Sequence, residues 1–247
     1  MSVLKYAVPN GFTALSMLFG LASVAMAAQG NFELAAWMIL WGVLLDKLDG
    51  TAARLLNATS GFGVQFDSFA DFVIFGIAPG FFFYFRLGNV EPFTDSTGQV
   101  ALLGAIGFFV VASSARLARF NISEPPAADR FFYGVPTTFC GGLLALCYLT
   151  WSKYELSPSL LPGFVPLMVV AGLAMVSNLR LPKVKSRKNM ALQLFQIGNI
   201  LAAYVLGALR MMPEYLLGLS VLYISVGLVW GALYPPPELL EARRQTA

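Results

Sequence analysis

The chain has 247 residues, of which 57% are hydrophobic and 12% charged, and a mean hydropathy of +0.71. A soluble domain carries about 25% charged residues, so the composition excludes one and points to an all-α, polytopic membrane helix bundle. The net charge of +3 is small; its distribution says more than its size, and no nucleic-acid partner is expected.

A span needs about 20 apolar residues. Eight segments qualify as transmembrane helices, roughly 9–29, 33–53, 64–85, 99–119, 135–152, 161–179, 191–210 and 213–233. The loops between them are short, so the chain 1–247 reads as a single integral membrane domain. The first segment opens on Pro9-Asn10. Lys5 and Ala25-Met26-Ala27 outline a signal peptide, but one Lys is a weak n-region and the apolar run continues to Ala28. It is read as the first helix of the bundle.

The second segment ends, and the third begins, in DKLDGTAARLLNATSGFGVQFDSFAD, residues 46–71. Four of the 13 acidic residues of the chain lie here: Asp46, Asp49, Asp67 and Asp71. Ionisable groups at membrane depth are costly and read as functional by default. Asp46 and Asp49 are spaced i, i+3, and Asp67 and Asp71 i, i+4, so on helices each pair shares a face. Asn57, Thr59, Ser60, Gly61 and Gly63 supply a turn, and two helices joined by a short turn run antiparallel. The expectation is four carboxylates around one point, which repel unless protonated or cation-bound. An all-oxygen set with no His suits Mg²⁺, Mn²⁺ or Ca²⁺ rather than zinc. Four bridging carboxylates can hold two such ions about 3.5–4 Å apart, the clamp of phosphoryl chemistry. A plainer alternative is four helix-end aspartates making caps and surface pairs. It leaves the spacing, and Gly50, Ala53 and Arg54 between the pairs, without a reason.

Further on, Gly76 and Gly80 enclose Pro79, a pattern for close helix packing with a kink. The fourth segment ends in ARLARFN, with Arg116 and Arg119 at i, i+3. These arginines either anchor the helix end or contact a diphosphate or a substrate carboxylate; the residues alone leave both open. Cys140 and Cys147, seven apart on one helix, stand about 10 Å apart, too far for a disulfide. Arg180 to Lys188 is a basic loop that suits orientation and anionic lipid. Pro235-Pro236-Pro237 stops the last helix before a solvated tail.

With the N-terminus placed inside, 13 of the 16 Lys and Arg fall on that side. Arg86, Lys153 and Arg210 fall on the other. This bias puts both termini and the aspartates on the cytoplasmic face.

The arrangement Asp46-x2-Asp49-Gly50-x2-Ala53-Arg54-x8-Gly63-x3-Asp67-x3-Asp71 is similar at every fixed position to the signature of the CDP-alcohol phosphotransferases. ARLARFN, FFYGVP (131–136), DSFADFVIFGIAP (67–79) and MVSNLRLPKVK (175–185) resemble the phosphatidylserine synthase branch. One departure is Thr138, where the branch usually has a second proline after Pro136. The resemblance implies an integral membrane enzyme with a six-helix catalytic core, roughly 8–188. Two extra helices (189–233), which carry no motif of the family, and a short tail (234–247) follow that core, and the resemblance implies a homodimer. It implies transfer of a phosphatidyl group from CDP-diacylglycerol to an alcohol, L-serine in this branch, with release of CMP. Choline, glycerol phosphate or inositol phosphate are the alternative acceptors. Asp71 would be the base, Gly50, Ala53, Arg54 and Gly63 would hold the CDP moiety, and the four aspartates two Mg²⁺ or Mn²⁺ ions. A cation transporter is the reading from another class, but it predicts carboxylates spread through the membrane depth.

Overall fold

A computed structural model describes residues 2–122, 130–183 and 190–234. Lys185, Arg187 and Lys188 of the basic loop, Pro235–Pro237, and Arg243 and Arg244 of the tail lie outside the described residues.

All eight apolar segments are helical. Helix α1 (Ser2–Ala28) stops at Gly30, whose φ of +80° no helix can continue. Asn31 caps α2 (Phe32–Leu55) by accepting from the Leu34 amide. The next transmembrane segment has three parts: α3 (Gly61–Asp71), a π-helical stretch (Phe72–Ile77) and α4 (Ala78–Leu87). Pro79 accounts for the irregularity, because its ring can neither donate to the Phe75 carbonyl nor pack against it. Then follow α5 (Ser96–Ile122), α6 (Thr137–Lys153), a 3₁₀ turn (Pro158–Gly163) leading into α7 (Phe164–Val176), α8 (Met190–Ala208) and α9 (Pro213–Leu233).

Five of these are long and apolar enough to cross a membrane: 5–28, 61–87, 96–122, 158–176 and 213–233. Of the others, α2 carries Asp46, Lys47 and Asp49 in its second half, and α6 has 17 residues. The chain is an all-α, multi-pass membrane protein.

One feature departs from the sequence reading. Residues expected in loops form a two-stranded antiparallel ribbon, β1 (Phe131–Tyr133) with β2 (Arg180–Pro182). It ties FFYGVP to NLRLP, two segments that local periodicity could not pair because 46 residues separate the two strands.

The core lies between α2, the π stretch, α4, α5, α6 and α7, around Trp37, Ile74, Phe75, Phe82, Phe83, Phe109 and Met168. Gly76 lies against Ser113, and Gly80 against Ile106 and Val110 of α5, so this spacing serves close packing. At the end remote from the aspartates, Arg86 sits among the rings of Phe32, Tyr148 and Trp151 at 5.2–5.9 Å. Cys140 and Cys147 are both free thiols.

Candidate metal centre and active site

The site is built where α2 hands over to α3. Asn57 turns the chain with φ +49°, and the Ser60 hydroxyl caps α3 by accepting from the Gly63 amide at 3.0 Å. The two helices therefore meet at one end of the bundle, with their acidic residues brought together. One carboxylate oxygen from each of Asp46, Asp49 and Asp67 lies within 4.8 Å of the others. Asp49 is buried; Asp46 and Asp67 are half-buried. The fourth carboxylate differs from the expected single point. Asp71 lies one turn further along α3 than Asp67, outside that group of three, and is buried. The charged groups bearing on it are Asp46, Asp67, Lys47 and Arg116.

The donor set fits hard divalent cations. The three grouped ligands are carboxylates, with no sulfur or imidazole among them. Among the described residues, one ammonium bonds to the cluster: Lys47 Nζ donates to Asp46 Oδ2 at 2.7 Å. Lys47 and the neighbouring Arg116 against four carboxylates still leave an excess of negative charge that further cations would offset.

Two polar contacts at the site come from residues that the signature does not include. Thr13 of α1 donates to Asp49 Oδ2 at 2.8 Å, both groups being buried. Lys47, already named, lies between the first two aspartates in sequence. The available signal for Thr13 is a polar stripe, Asn10, Thr13 and Ser16, at helical spacing in an otherwise apolar segment.

The remaining candidates separate by environment. A Cβ at Gly50 would meet nothing nearer than Arg54 Nη1 at 3.9 Å, so the backbone there is open to a ligand. Ala53 is half-buried, and Arg54 is exposed with one long bond to Thr51. At Gly63 a Cβ would crowd Ser60 Oγ at 3.2 Å and Asn10 Oδ1 at 3.5 Å; the residue keeps the turn tight against α1. The two arginines of ARLARFN part ways. Arg116 is buried beside the cluster, stacked on Phe120, and among the described residues it has no hydrogen-bonding acceptor. Arg119 spends its guanidinium on the backbone. Its two terminal nitrogens donate to the carbonyls of Tyr133 (3.0 Å), Met175 (3.3 Å), Val176 (3.0 Å) and Ser177 (2.9 Å). It thus caps the C-terminus of α7 and joins it to β1.

Comparison with known proteins agrees with the site. Residues 6–229 match the family model for CDP-alcohol phosphatidyltransferase. A Helicobacter pylori (strain ATCC 700392 / 26695) protein named CDP-diacylglycerol–serine O-phosphatidyltransferase is 38% identical over 184 residues, covering 74% of this chain and 75% of that protein. Proteins of the same name from Bacillus subtilis (strain 168) and Methanocaldococcus jannaschii are 30% and 29% identical. They cover 72% and 88% of this chain, and 88% and 90% of their own lengths. With the acidic signature assembled at one end of the bundle and the match running over most of its length, the chain belongs to the CDP-alcohol phosphatidyltransferase family.

Proposed function

We propose that this enzyme transfers a phosphatidyl group from CDP-diacylglycerol to L-serine, giving phosphatidylserine and CMP. The observation that carries this reading is the meeting of Asp46, Asp49 and Asp67 beside a buried Asp71 and an open Gly50 backbone. The relatives' printed names supply the donor and the acceptor.

Asp46, Asp49, Asp67 and Asp71 would hold two Mg²⁺ or Mn²⁺ ions. The chemistry such ions supply when bound is neutralisation of the diphosphate and of the departing CMP oxygen. The chain's own residues do the rest. Gly50 and Ala53 let the nucleotide lie against α2, and Arg54, on the same stretch, is free to reach its phosphates. The serine hydroxyl oxygen attacks the β-phosphorus, the bond from that phosphorus to the CMP oxygen breaks, and the hydroxyl proton passes to a carboxylate of the chain. With no histidine present, Asp71 takes that role, buried beside the other aspartates. Arg116 is the arginine left to receive a phosphate or the serine carboxylate, because Arg119 is committed to the end of α7.

The same reading takes residues 8–188 as the catalytic core, with α8 and α9 added to it. It places the site on the cytoplasmic face, from the charge bias, and pairs two chains as a homodimer. Gly104 and Gly107 of α5, where an added Cβ meets nothing within 4 Å, leave a small-residue face open to a partner.

The test is lipid synthesis in membranes given CDP-diacylglycerol and labelled serine, choline, glycerol phosphate or inositol phosphate, read by thin-layer chromatography and CMP release. The expected result is a new phospholipid from serine alone, with Asp71→Asn reducing turnover by about 10²–10⁴-fold. A product from another alcohol would replace the acceptor. Near-normal turnover in the variant would remove Asp71 as base.

A further inference from the structure

We infer that Thr13 is a positioning residue that aims Asp49 into the metal centre. The proposal rests on the reading of the aspartates as cation ligands and deepens it. Thr13 lies on α1, 36 positions from Asp49, in a helix that contributes none of the acidic residues. Its side chain and that of Asp49 are 3% and 5% exposed.

The Thr13 hydroxyl has one proton and two acceptors within reach. Asp49 Oδ2 stands at 2.8 Å and the Pro9 carbonyl at 3.2 Å. A carboxylate is the stronger acceptor, and the shorter distance favours it as well. The proton therefore goes to Asp49, and the Pro9 carbonyl marks where the hydroxyl would turn if the carboxylate left. A bond to Oδ2 fixes the plane of the carboxylate and leaves Oδ1 uncommitted to Thr13. This is the arrangement of an outer-shell donor that orients a metal ligand, and loss of such a donor costs about 10–100-fold in metal affinity. Helix α1 packs along both α2 and α3, so Thr13 also links the position of Asp49 to the fit between the three helices.

The experiment measures Mn²⁺ binding by electron paramagnetic resonance on the full-length protein in detergent with CMP. It compares the wild type with Thr13→Val, Thr13→Ala and Thr13→Ser. Valine keeps the shape and removes the donor, whereas serine keeps the donor and removes the methyl. The expected result is Mn²⁺ binding at least 10-fold weaker in the Val and Ala variants, with Ser within about threefold of wild type. Thermal unfolding with and without EDTA separates positioning from general packing: whatever each variant loses without metal, the rise in unfolding temperature on adding Mn²⁺ and CMP should be smaller for Val and Ala than for wild type and Ser. Mn²⁺ affinity within twofold of wild type in Thr13→Val overturns the proposal and leaves the metal centre intact. So does a Ser variant as weak as the Val variant. A wild-type protein that binds no Mn²⁺ overturns the metal centre itself, and this proposal with it.

Discussion

Gly134 has φ +75°, and a Cβ there would run into the Met175 carbonyl oxygen and crowd the Arg119 guanidinium. Its amide donates to Leu179 O at 2.8 Å, so the residue is the hinge between β1 and the start of α6. Any L-residue at this position carries both the left-handed strain and the collision. Gly134→Ala is expected to lose about 1–3 kcal/mol of stability, seen as a lower unfolding temperature in detergent. An unchanged melt would mean that the β1–α6 turn adopts another backbone path. Arg119 shows the same economy. A residue at the right depth for substrate binding is used to satisfy carbonyls that a helix end leaves open. Charge and position in the sequence were the same for Arg116 and Arg119; what separates them is which neighbour each side chain faces.

At the scale of elements, the π-helical stretch and the helices around it set the depth of Asp71. Gly141 of α6 lies against the backbone of Phe75, where a Cβ would stand 2.9 Å from the carbonyl oxygen. Helix α6 and the π stretch can be this close because no side chain intervenes. Thr137, one turn before Gly141, and Asp71, one turn before Phe75, are both buried. Gly141→Ala should therefore push the two elements apart and lower the unfolding temperature. Gly218→Ala on α9, where an added Cβ meets nothing within 4 Å, should leave it unchanged or raise it, because alanine is the better helix former by about 1 kcal/mol. Fluorescence-detected size-exclusion after heating compares them; equal behaviour of the pair would contradict the close contact. The C-terminal helices are also more than appendages. The Trp41 indole donates to Gly207 O of α8 at 3.1 Å, and the Tyr223 hydroxyl of α9 donates to Pro182 O of β2 at 2.6 Å.

Taken whole, the molecule has the acidic cluster at one end and the aromatic cage around Arg86 at the other. Lys5 reaches the Asn57 carbonyl at the aspartate end, while Arg86, Lys153 and Glu214 lie at the far end, the last two as an ion pair of 2.7 Å. The proposed cytoplasmic placement of the aspartate end rests on the charge bias. In a background with Cys140 and Cys147 replaced by alanine, Ser157→Cys should react with a membrane-impermeant maleimide in intact cells. Asn57→Cys should react only after lysis. The reverse pattern would invert the topology and move the active site to the outer face.

The sequence by itself determined the helices, the turn at Asn57 and the acidic signature. These rest on runs of apolar residues and on spacings within a few turns, which local backbone geometry converts directly into shared faces. It also carried the family, through eight fixed positions in 26 residues. Tertiary structure alone decided that Asp71 lies outside the tight group formed by the other three carboxylates, that Arg119 caps α7, that β1 pairs with β2, and that Thr13 reaches Asp49. Each of these depends on how separate helices are seated against one another. That seating is set by close packing between side chains far apart in the chain, to which no local pattern is sensitive.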